Sequence, residues 1–408
     1  MSRISKIQAR QAFERARDHG LLSDADTVVQ FFDFDILETR LSEVSAAFPP
    51  STTHCVAVKA NPLTAVIKHI ASRGFGLEAA SFEEWVHAHR ASPKTAAWDS
   101  PAKTEKELKA AETMPPGIIS LNNLQEAELI AGFDLSQHLL MLRINPEISY
   151  SAHGSMTVAG TFSKFGEPIS NRKQIIQFLL GNSNICGLHV HTSSQTTDFG
   201  SLIKGIEAVV GLAEEVNSLD GFRVSHIDIG GGFAVNYGEG NPFDIAEYAR
   251  QLYESVSRLA RYQVITEFGR FYHAHAGFTA AQVASRVDWG VDKQCLIIHA
   301  GAEMMLRECY QPSQWPHLVT STRPHGETLS TDLGGPLCFG GDYPLRNVHL
   351  PKCNRGDWVF ILDTGANSLA LWSHHCSRPF PKVIGYNTEG MSVIRQRAEI
   401  DETLSIWG

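Results

Sequence analysis

Cys55-Val56-Ala57-Val58-Lys59-Ala60-Asn61-Pro62 is the most informative segment of this chain, because a short apolar run ends here in a single lysine. A run of this kind is typical of a buried strand, so Lys59 places an amine where that strand ends. Desolvation at such a position is expected to lower the pKa of Lys59 and make its amine a nucleophile. A surface lysine whose stem lies along apolar atoms is the alternative explanation of this position alone.

Short apolar runs alternate with amphipathic stretches over residues 28–278. The predicted strands are Val28–Phe34, His54–Lys59, Gly76–Ser81, Leu139–Ile144, Ile185–His191, His226–Ile229 and Val264–Glu267. The predicted helices include Phe82–His89, Lys103–Ala111, Leu124–Ile130 and Leu202–Val216. Strand–helix alternation repeated about eight times predicts an α/β fold, a parallel (β/α)8 TIM barrel with its active site at the carboxyl ends of the strands.

A second domain is predicted after residue 279, where helical periodicity fades and Gly, Pro and Asp separate short apolar runs. The strand-like segments are Ala281–Val287, Gln294–Ala300, Leu329–Leu333, Trp358–Leu362 and Met391–Arg395. They favour a C-terminal antiparallel β-sandwich or β-barrel domain, against which an amphipathic helix in the first 25 or so residues is expected to pack. The predicted domains are therefore 28–278 for the TIM barrel and 1–27 plus 279–408 for the β domain.

The composition excludes several classes of protein. Hydrophobic residues make up 43% of the 408 residues and charged residues 19%, and the formal net charge is −9, with no basic cluster. This argues against a nucleic-acid or anionic-membrane partner. The chain shows neither an apolar leader nor a run of about 18 apolar residues, so we expect a cytoplasmic location. Seven cysteines without a CxxC pair are typical of reduced thiols and argue against a zinc site.

Two further predicted strands end in residues whose chemistry complements the amine of Lys59. Gly230-Gly231-Gly232 follows one predicted strand, and Glu267-Phe268-Gly269-Arg270 follows another. Backbone N–H groups of consecutive glycines form an anion nest, although a flexible turn explains the glycines alone. A carboxylate keeps a pyridine nitrogen protonated, and an arginine binds phosphate, although an ion pair within the loop explains both residues. An amine, a phosphate cradle and this pair together predict a pyridoxal 5′-phosphate site.

His189 and His191 alternate along a predicted strand, so their side chains share one face. His191 is placed to lie against a cofactor ring, and Ser193 or Ser194 to bond phosphate. A satisfied core histidine and a metal site are the alternatives, but no third ligand is evident nearby, and no metal is predicted. Cys338 lies in a Gly-rich loop, where its thiol could deliver a proton to carbon or act only as a small hydrophobe.

Together these segments resemble the fold-type III pyridoxal-phosphate decarboxylases, the group of diaminopimelate, ornithine and arginine decarboxylases. The resemblance runs from about residue 28 to about residue 400. It is carried by Val56–Asn61, Ser100–Thr104, Arg143–Pro146, Ser163–Gly166, Gly187–His191, Asp228–Gly232, Glu267–Arg270 and Cys338–Asp342. It implies a two-domain architecture like that of alanine racemase and removal of the α-carboxylate from an amino acid or an amino-acid conjugate.

The resemblance also implies roles for individual residues. Lys59 would form the Schiff base, and Cys338 would protonate Cα from the neighbouring subunit, so that a homodimer shares its active sites. The implied cofactor-binding residues are Lys59, His191, Ser194, Gly230, Gly231, Gly232, Glu267, Gly269, Arg270 and Asn367. The implied substrate residues are Arg307, Tyr310, Phe339 and Asp342.

This sequence departs from the family pattern at several positions. Phe339 replaces the acidic residue that holds the distal ammonium of the substrate, which makes a simple diamino acid a poor candidate because a buried charge without a partner is costly. Asn367 replaces a tyrosine, Ser193 a glycine and Glu78 an aspartate. Ser373-His374-His375 with Arg378-Pro379 resembles decarboxylases of siderophore and other specialised pathways.

Two other functions remain open at this point. A pyridoxal-phosphate-dependent racemase would share the barrel, the lysine and the cofactor, but it needs a second acid–base tyrosine, for which the sequence offers no clear candidate. A decarboxylase-like regulator without activity would keep the fold alone. The presence of both Lys59 and Cys338 argues against the second alternative.

Overall fold

The computed structural model describes residues 3–148, 159–221, 223–240, 243–323 and 325–408. The strands are β1 (Val28–Asp33), β2 (Thr53–Ala57), β3 (Gly76–Ala79), β4 (Ala96–Trp98), β5 (Ile118–Leu121), β6 (Leu139–Asn145), β7 (Glu167–Pro168), β8 (Ile185–His189), β9 (His226–Asp228), β10 (Gln263–Thr266), β11 (Gly277–Asp288), β12 (Lys293–Ile298), β13 (Val319–Ser321), β14 (Thr328–Gly334), β15 (Leu345–Pro351), β16 (Trp358–Leu362), β17 (Lys382–Tyr386) and β18 (Met391–Arg395).

The α-helices are α1 (Lys6–Asp18), α2 (Phe34–Ala47), α3 (Thr64–Ser72), α4 (Phe82–His89), α5 (Glu105–Ala111), α6 (Leu124–Leu129), α7 (Arg172–Gly181), α8 (Phe199–Leu219), α9 (Ile245–Ser255), α10 (Arg270–His273), α11 (Leu306–Tyr310) and α12 (Ile400–Leu404). Two compact units result. The barrel unit comprises Ser42–Val235 and Phe243–Phe271, and the β unit comprises Met1–Leu41, Asn236–Pro242 and Tyr272–Gly408.

The barrel unit contains a closed sheet of eight parallel strands. They follow the order β2-β3-β4-β5-β6-β8-β9-β10, and β10 returns to pair with β2. The two-residue β7 adds to the edge of β6. Five of the barrel strands contribute a buried cluster of Cys55, Ala97, Ile118, Met141 and Ile265. The predicted TIM barrel is therefore confirmed.

Two barrel strands, β4 and β5, were not predicted, and both are short. β4 has three residues and β5 has four, and all of them are buried. A strand buried on both faces loses the alternation of polar and apolar residues that identifies a strand. Ala96-Ala97 in particular is equally typical of a helix. Length and burial thus explain why both strands were missed.

The β unit holds a second sheet, in the order β15-β14-β12-β11-β1-β17-β18, with β16 joining β11 to β13. The separate β domain is confirmed, but its sheet is mixed rather than purely antiparallel, since β1 pairs parallel with β17 and β12 pairs parallel with β14. The predicted N-terminal helix also packs here. In α1, the Phe13 ring lies 4.8 Å from the ring of Trp358 and 5.2 Å from that of Phe360.

Strand β1 was predicted as the first barrel strand, and that placement is wrong. It pairs antiparallel with β11 and parallel with β17, both in the β unit. The apolar run of β1 predicts a buried strand. A local run of this kind does not indicate which strands pair with it, and the partners of β1 lie about 250 or more residues further along the chain. Residues 28–41 consequently belong to the β unit, whereas the prediction began the barrel domain at residue 28.

Among the residues that the structure describes, no helix is long and apolar enough to cross a membrane.

Candidate active site

Lys59 follows β2 directly, in a single 3-10 turn over Val58–Ala60. Its Nζ lies 2.5 Å from Oε2 of the fully buried Glu78 in β3. Burial disfavours the ammonium, but the carboxylates of Glu78, Glu267 and Asp99 outweigh it and raise the pKa of Lys59 above its ordinary value. The expected lowering of this pKa is therefore wrong, because the neighbouring strands bring carboxylates that the local sequence does not contain.

Three carboxylates meet at this end of the barrel. Oxygens of Glu78, Asp99 and Glu267 lie within 4.8 Å of one another, and all three side chains are buried. Burial raises the pKa of Glu78 to about 8, and the Lys59 ammonium opposes that rise. Like charges this close need cations beside them, and Lys59 supplies the first.

Arginine and histidine supply the other two cations. Nη1 of Arg143 in β6 lies 3.1 Å and 3.0 Å from the two carboxylate oxygens of Asp99. Nε2 of His189, at the end of β8, lies 3.4 Å from Oε2 of Glu267. Although burial disfavours its charged form, Glu267 has a pKa held well below the ordinary value by His189, His191 and Lys59. Glu267 is therefore an anion at neutral pH.

His191 lies on the same face as His189, as predicted. Its Nδ1 accepts a hydrogen bond of 3.2 Å from the backbone N–H of Gly231. Burial lowers the pKa of His191, and the nearby Glu267 carboxylate only partly opposes this. A neutral imidazole beside the glycine loop is suited to lie against an aromatic ring.

A third potential metal ligand does lie near the two histidines, contrary to the prediction. Ligand atoms of His189, His191 and Glu267 lie within 4.8 Å of one another. The sequence did not reveal this because Glu267 follows β10, whereas His189 ends β8 and His191 lies two residues beyond it. However, Asp99, Glu267 and Asp228 overcome the burial of His189 and raise its pKa to about 9. A protonated imidazole has no free lone pair for a metal, so the charges favour another role.

The glycine loop after β9 is held close to neighbouring backbone. A Cβ on Gly230 would lie 2.6 Å from the carbonyl oxygen of Val190, and one on Gly231 would lie 2.6 Å from that of Glu267. Gly232 has φ +93°, and its Cβ would contact the carbonyl oxygen of Ser193. Only glycine fits such positions.

The barrel residues fit pyridoxal phosphate by their own chemistry. The glycine loop offers the N–H of Gly232 to an anion, since those of Gly230 and Gly231 donate to Asp228 and His191. Glu267 offers a buried carboxylate, and Lys59 offers an amine at the same barrel end. Ser194 is half-buried after the strand of His191, and the buried Arg270 opens α10. Gly269 keeps this segment close to β2, since a Cβ there would lie 2.8 Å from that of Ala57.

The remaining predicted residues lie in the β unit. Arg307 in α11 lies over the ring of Trp315, with its guanidinium carbon 5.3 Å from the ring centroid. The rings of Tyr310 and Phe339 are stacked, with centroids 5.6 Å apart. Cys338, in the loop between β14 and β15, is exposed as a free thiol. The half-buried Asn367 has φ +56°, a left-handed conformation that asparagine tolerates better than most residues.

Asp342 fixes the loop that carries Cys338. Its carboxylate accepts hydrogen bonds from the backbone N–H groups of Ala302, at 2.6 Å, and Leu337, at 2.7 Å. The side chain is buried, and burial raises its pKa. With both oxygens occupied in this way, Asp342 is better suited to position the loop than to contact a substrate.

Sequence reasoning left three barrel residues without a role: His189, Asp99 and Arg143. Asp99 and Arg143 lie at the ends of strands, where the barrel pattern places active-site groups. Asp99 was obscured because β4 itself was missed. His189 was noticed, but only the buried carboxylates on other strands give it a charge.

Comparisons with known proteins identify the family. The family model described as "Pyridoxal-dependent decarboxylase, pyridoxal binding domain" matches residues 35–274, more than half of the chain. Diaminopimelate decarboxylase of Aquifex aeolicus is 27% identical over 386 residues, covering 92% of this chain and 90% of that relative. The corresponding enzyme of Helicobacter pylori is 25% identical, covering 92% of this chain and 94% of the relative.

Solved structures agree on the fold. The crystal structure of Helicobacter pylori diaminopimelate decarboxylase complexed with L-lysine has a TM-score of 0.87 at 23% identity, covering 96% of this chain and 99% of that one. Lysine/ornithine decarboxylase of Vibrio vulnificus complexed with cadaverine has a TM-score of 0.79 at 22% identity, covering 94% and 99%. The chain thus belongs to the pyridoxal-dependent decarboxylases, and it is an enzyme that removes the carboxylate of an amino acid with pyridoxal phosphate as cofactor.

Proposed function

We propose that Lys59 binds the cofactor covalently through Nζ and that Glu267 binds its ring nitrogen. The glycine loop Gly230–Gly232, with Ser194 and Arg270, would hold the phosphate, and His191 would lie against the ring. The cofactor supplies an electron sink for the bonding electrons that the departing carboxylate leaves behind. The observation that carries this proposal is the meeting of Lys59, Glu267 and the glycine loop at one end of the barrel.

The test compares two lysine variants. Lys59→Ala should lose both the visible absorbance of the bound cofactor and the release of CO2. Lys68→Ala, which changes an exposed lysine in the neighbouring α3, should keep both. Cofactor absorbance that survives unchanged in Lys59→Ala would contradict the proposal.

Protonation of Cα is assigned to Cys338 of a second subunit, and substrate carboxylate binding to Arg307. The exposure of Cys338 and the buried Asp342 that anchors its loop support this assignment. The protein would then be a homodimer with shared active sites, and we place it in the cytoplasm. Asn367 would donate to phosphate through its amide, in place of a tyrosine hydroxyl. We assign Asp342 to positioning this loop.

The substrate is proposed to be an amino acid, or an amino-acid conjugate, without a second free ammonium. The diaminopimelate decarboxylases named above act on diaminopimelate, which carries two ammonium groups. Here Phe339 stacks on Tyr310, and a phenyl ring gives a buried ammonium no carboxylate partner.

Exchange of this side chain tests the substrate proposal. Diaminopimelate should be a poor substrate for the wild type, and Phe339→Glu should raise CO2 release from it by about tenfold or more, the effect of ~1.4 kcal/mol. Phe339→Leu, which removes the ring without adding charge, should bring no gain. Efficient wild-type turnover of diaminopimelate would exclude the proposed substrate class.

A further inference from the structure

We propose that His189 is a buried imidazolium that positions Glu267 and keeps it ionised, acting as the third cation of the carboxylate cluster. It is a positioning residue, since it acts through Glu267. The inference rests on the proposed role of Glu267 toward the ring nitrogen of the cofactor.

Both nitrogens of His189 face oxygen atoms. Nδ1 lies 2.7 Å from the hydroxyl oxygen of Ser120 and 3.6 Å from Oδ1 of Asp99. Nε2 lies 3.4 Å from Oε2 of Glu267. A neutral imidazole can accept a hydrogen bond from the Ser120 hydroxyl at Nδ1, but with a single N–H it can point a proton at only one of the two carboxylates. The doubly protonated form offers an N–H to each, and this is the form that two buried carboxylates stabilise.

The pairing of charges leaves His189 as the cation for Glu267. Lys59 lies 2.5 Å from Glu78, and Arg143 lies 3.0 Å from Asp99, so each of these cations already has a nearer carboxylate. Asp228, on the neighbouring strand β9, also faces His189, but burial and Glu267 raise its own pKa well above the ordinary value, so Asp99 and Glu267 are the anions beside the ring. The pKa of His189 is raised to about 9, which agrees with this geometry.

His191 provides the contrast on the same strand face. Its Nδ1 accepts a hydrogen bond from Gly231, so that nitrogen carries no proton, and its pKa is lowered. Its Nδ1 is also farther from Oε2 of Glu267, at 4.0 Å, than the 3.4 Å of His189 Nε2. The two histidines are therefore predicted to differ in charge, with one cationic and the other neutral at neutral pH.

Nitrogen-15 NMR of histidine-labelled protein without cofactor tests the charge directly. At pH 8, one imidazole signal should remain doubly protonated and should disappear in His189→Gln. Among the residues that the structure describes, His317 is the other histidine with a raised pKa, because Glu308 outweighs its burial, and His317→Gln removes its signal. If no doubly protonated imidazole remains at pH 8 in His317→Gln, the inference is overturned, even where His189→Gln fails to fold.

Cofactor binding tests the link to Glu267. In His189→Gln, the apparent Kd for pyridoxal phosphate at pH 7.5 should rise about tenfold or more, with Lys59 still the labelled residue after borohydride reduction. If His189→Gln leaves both the Kd for pyridoxal phosphate and the dependence of that Kd on pH unchanged, the inference is overturned, while the proposed function remains intact. If borohydride reduction does not label Lys59 in the wild type, the proposed function is refuted instead. The NMR measurement of the His189 charge does not depend on that outcome.

Discussion

At the scale of single residues, the site is organised by matched charges. Glu78, Asp99 and Glu267 approach one another within 4.8 Å, and carboxyl groups this close are tolerated only with cations beside them and, for Glu78, a pKa raised to about 8. Lys59, Arg143 and His189 provide those charges. A change to any one carboxylate should therefore alter the protonation of its partner before it alters the fold.

Glu78→Gln should lower the pKa of Lys59, because the Glu78 carboxylate at hydrogen-bond distance favours the ammonium. The amine attacks a carbonyl only when neutral, so cofactor attachment should reach its half-maximal rate at a lower pH. The rate at which visible absorbance rises after pyridoxal phosphate is added, measured at several pH values, gives the pH of half-maximal attachment. Glu83→Gln, at an exposed position in α4, is the matched control. An unshifted profile in Glu78→Gln would refute the pairing.

The charge on His189 also predicts how stability changes with pH. Its pKa is raised from 6.5 to about 9 in the folded protein. Its contribution to stability is therefore fully present below about pH 6.5 and is lost as the pH rises through 9. The difference in unfolding free energy between wild type and His189→Gln should shrink by about 3 kcal/mol over that range, at 1.36 kcal/mol per unit. Urea unfolding at several pH values measures it, and a constant difference would argue against the charge.

Residue identities at strand ends were largely predictable, but their protonation was not. The positions of Lys59, Glu267 and His191 follow from apolar runs that stop at a polar residue. The direction of the Lys59 pKa depends on Glu78 and Asp99, which reach it from β3 and from the end of β4. Spatial neighbours of this kind are absent from any local pattern.

At the scale of elements, the loop after β9 depends on the absence of side chains. Gly232 adopts φ +93° against the carbonyl oxygen of Ser193. A left-handed conformation costs a residue with a Cβ about 1–2 kcal/mol, before any clash is counted. The loop would have to move, and the N–H of residue 232 would turn from the proposed phosphate position.

Gly232→Ala should therefore weaken cofactor binding by about tenfold or more, the equivalent of ~1.4 kcal/mol. Equilibrium titration with pyridoxal phosphate gives the Kd. Gly211→Ala, in the middle of α8 with no atom within 4 Å of the added Cβ, should bind as the wild type does. Equal affinities for both variants would exclude the loop as the phosphate cradle.

Element prediction succeeded where length and periodicity were both present. α4 and β16 were predicted at the residues where they occur, because each has a distinct pattern and clear ends. The buried strands β4 and β5 lack alternation, and β1 has a correct outline but partners that are distant in sequence. The sheet to which a strand belongs depends on tertiary contacts, which the apolar segment of the strand does not encode.

At the scale of the whole molecule, an eight-stranded barrel and a mixed β sheet divide the predicted site residues between two units. Lys59, His191 and Glu267 belong to the barrel unit, whereas Arg307 and Cys338 belong to the β unit. If Cys338 serves the site of a partner subunit, two different defects should complement each other.

Mixing Lys59→Ala with Cys338→Ala under conditions that allow subunit exchange should restore CO2 release to about a quarter of the wild-type rate, since half of the dimers would be hybrids with one intact site of two. Each variant alone should be nearly inactive. Activity of the mixture no greater than the sum of the separate variants would show that Cys338 does not act across a dimer.

The most direct test of the account is borohydride reduction of the cofactor-loaded protein, followed by peptide mapping. The account predicts one pyridoxyl group per chain, attached to Nζ of Lys59. A label on another lysine, or no label at all, would contradict it.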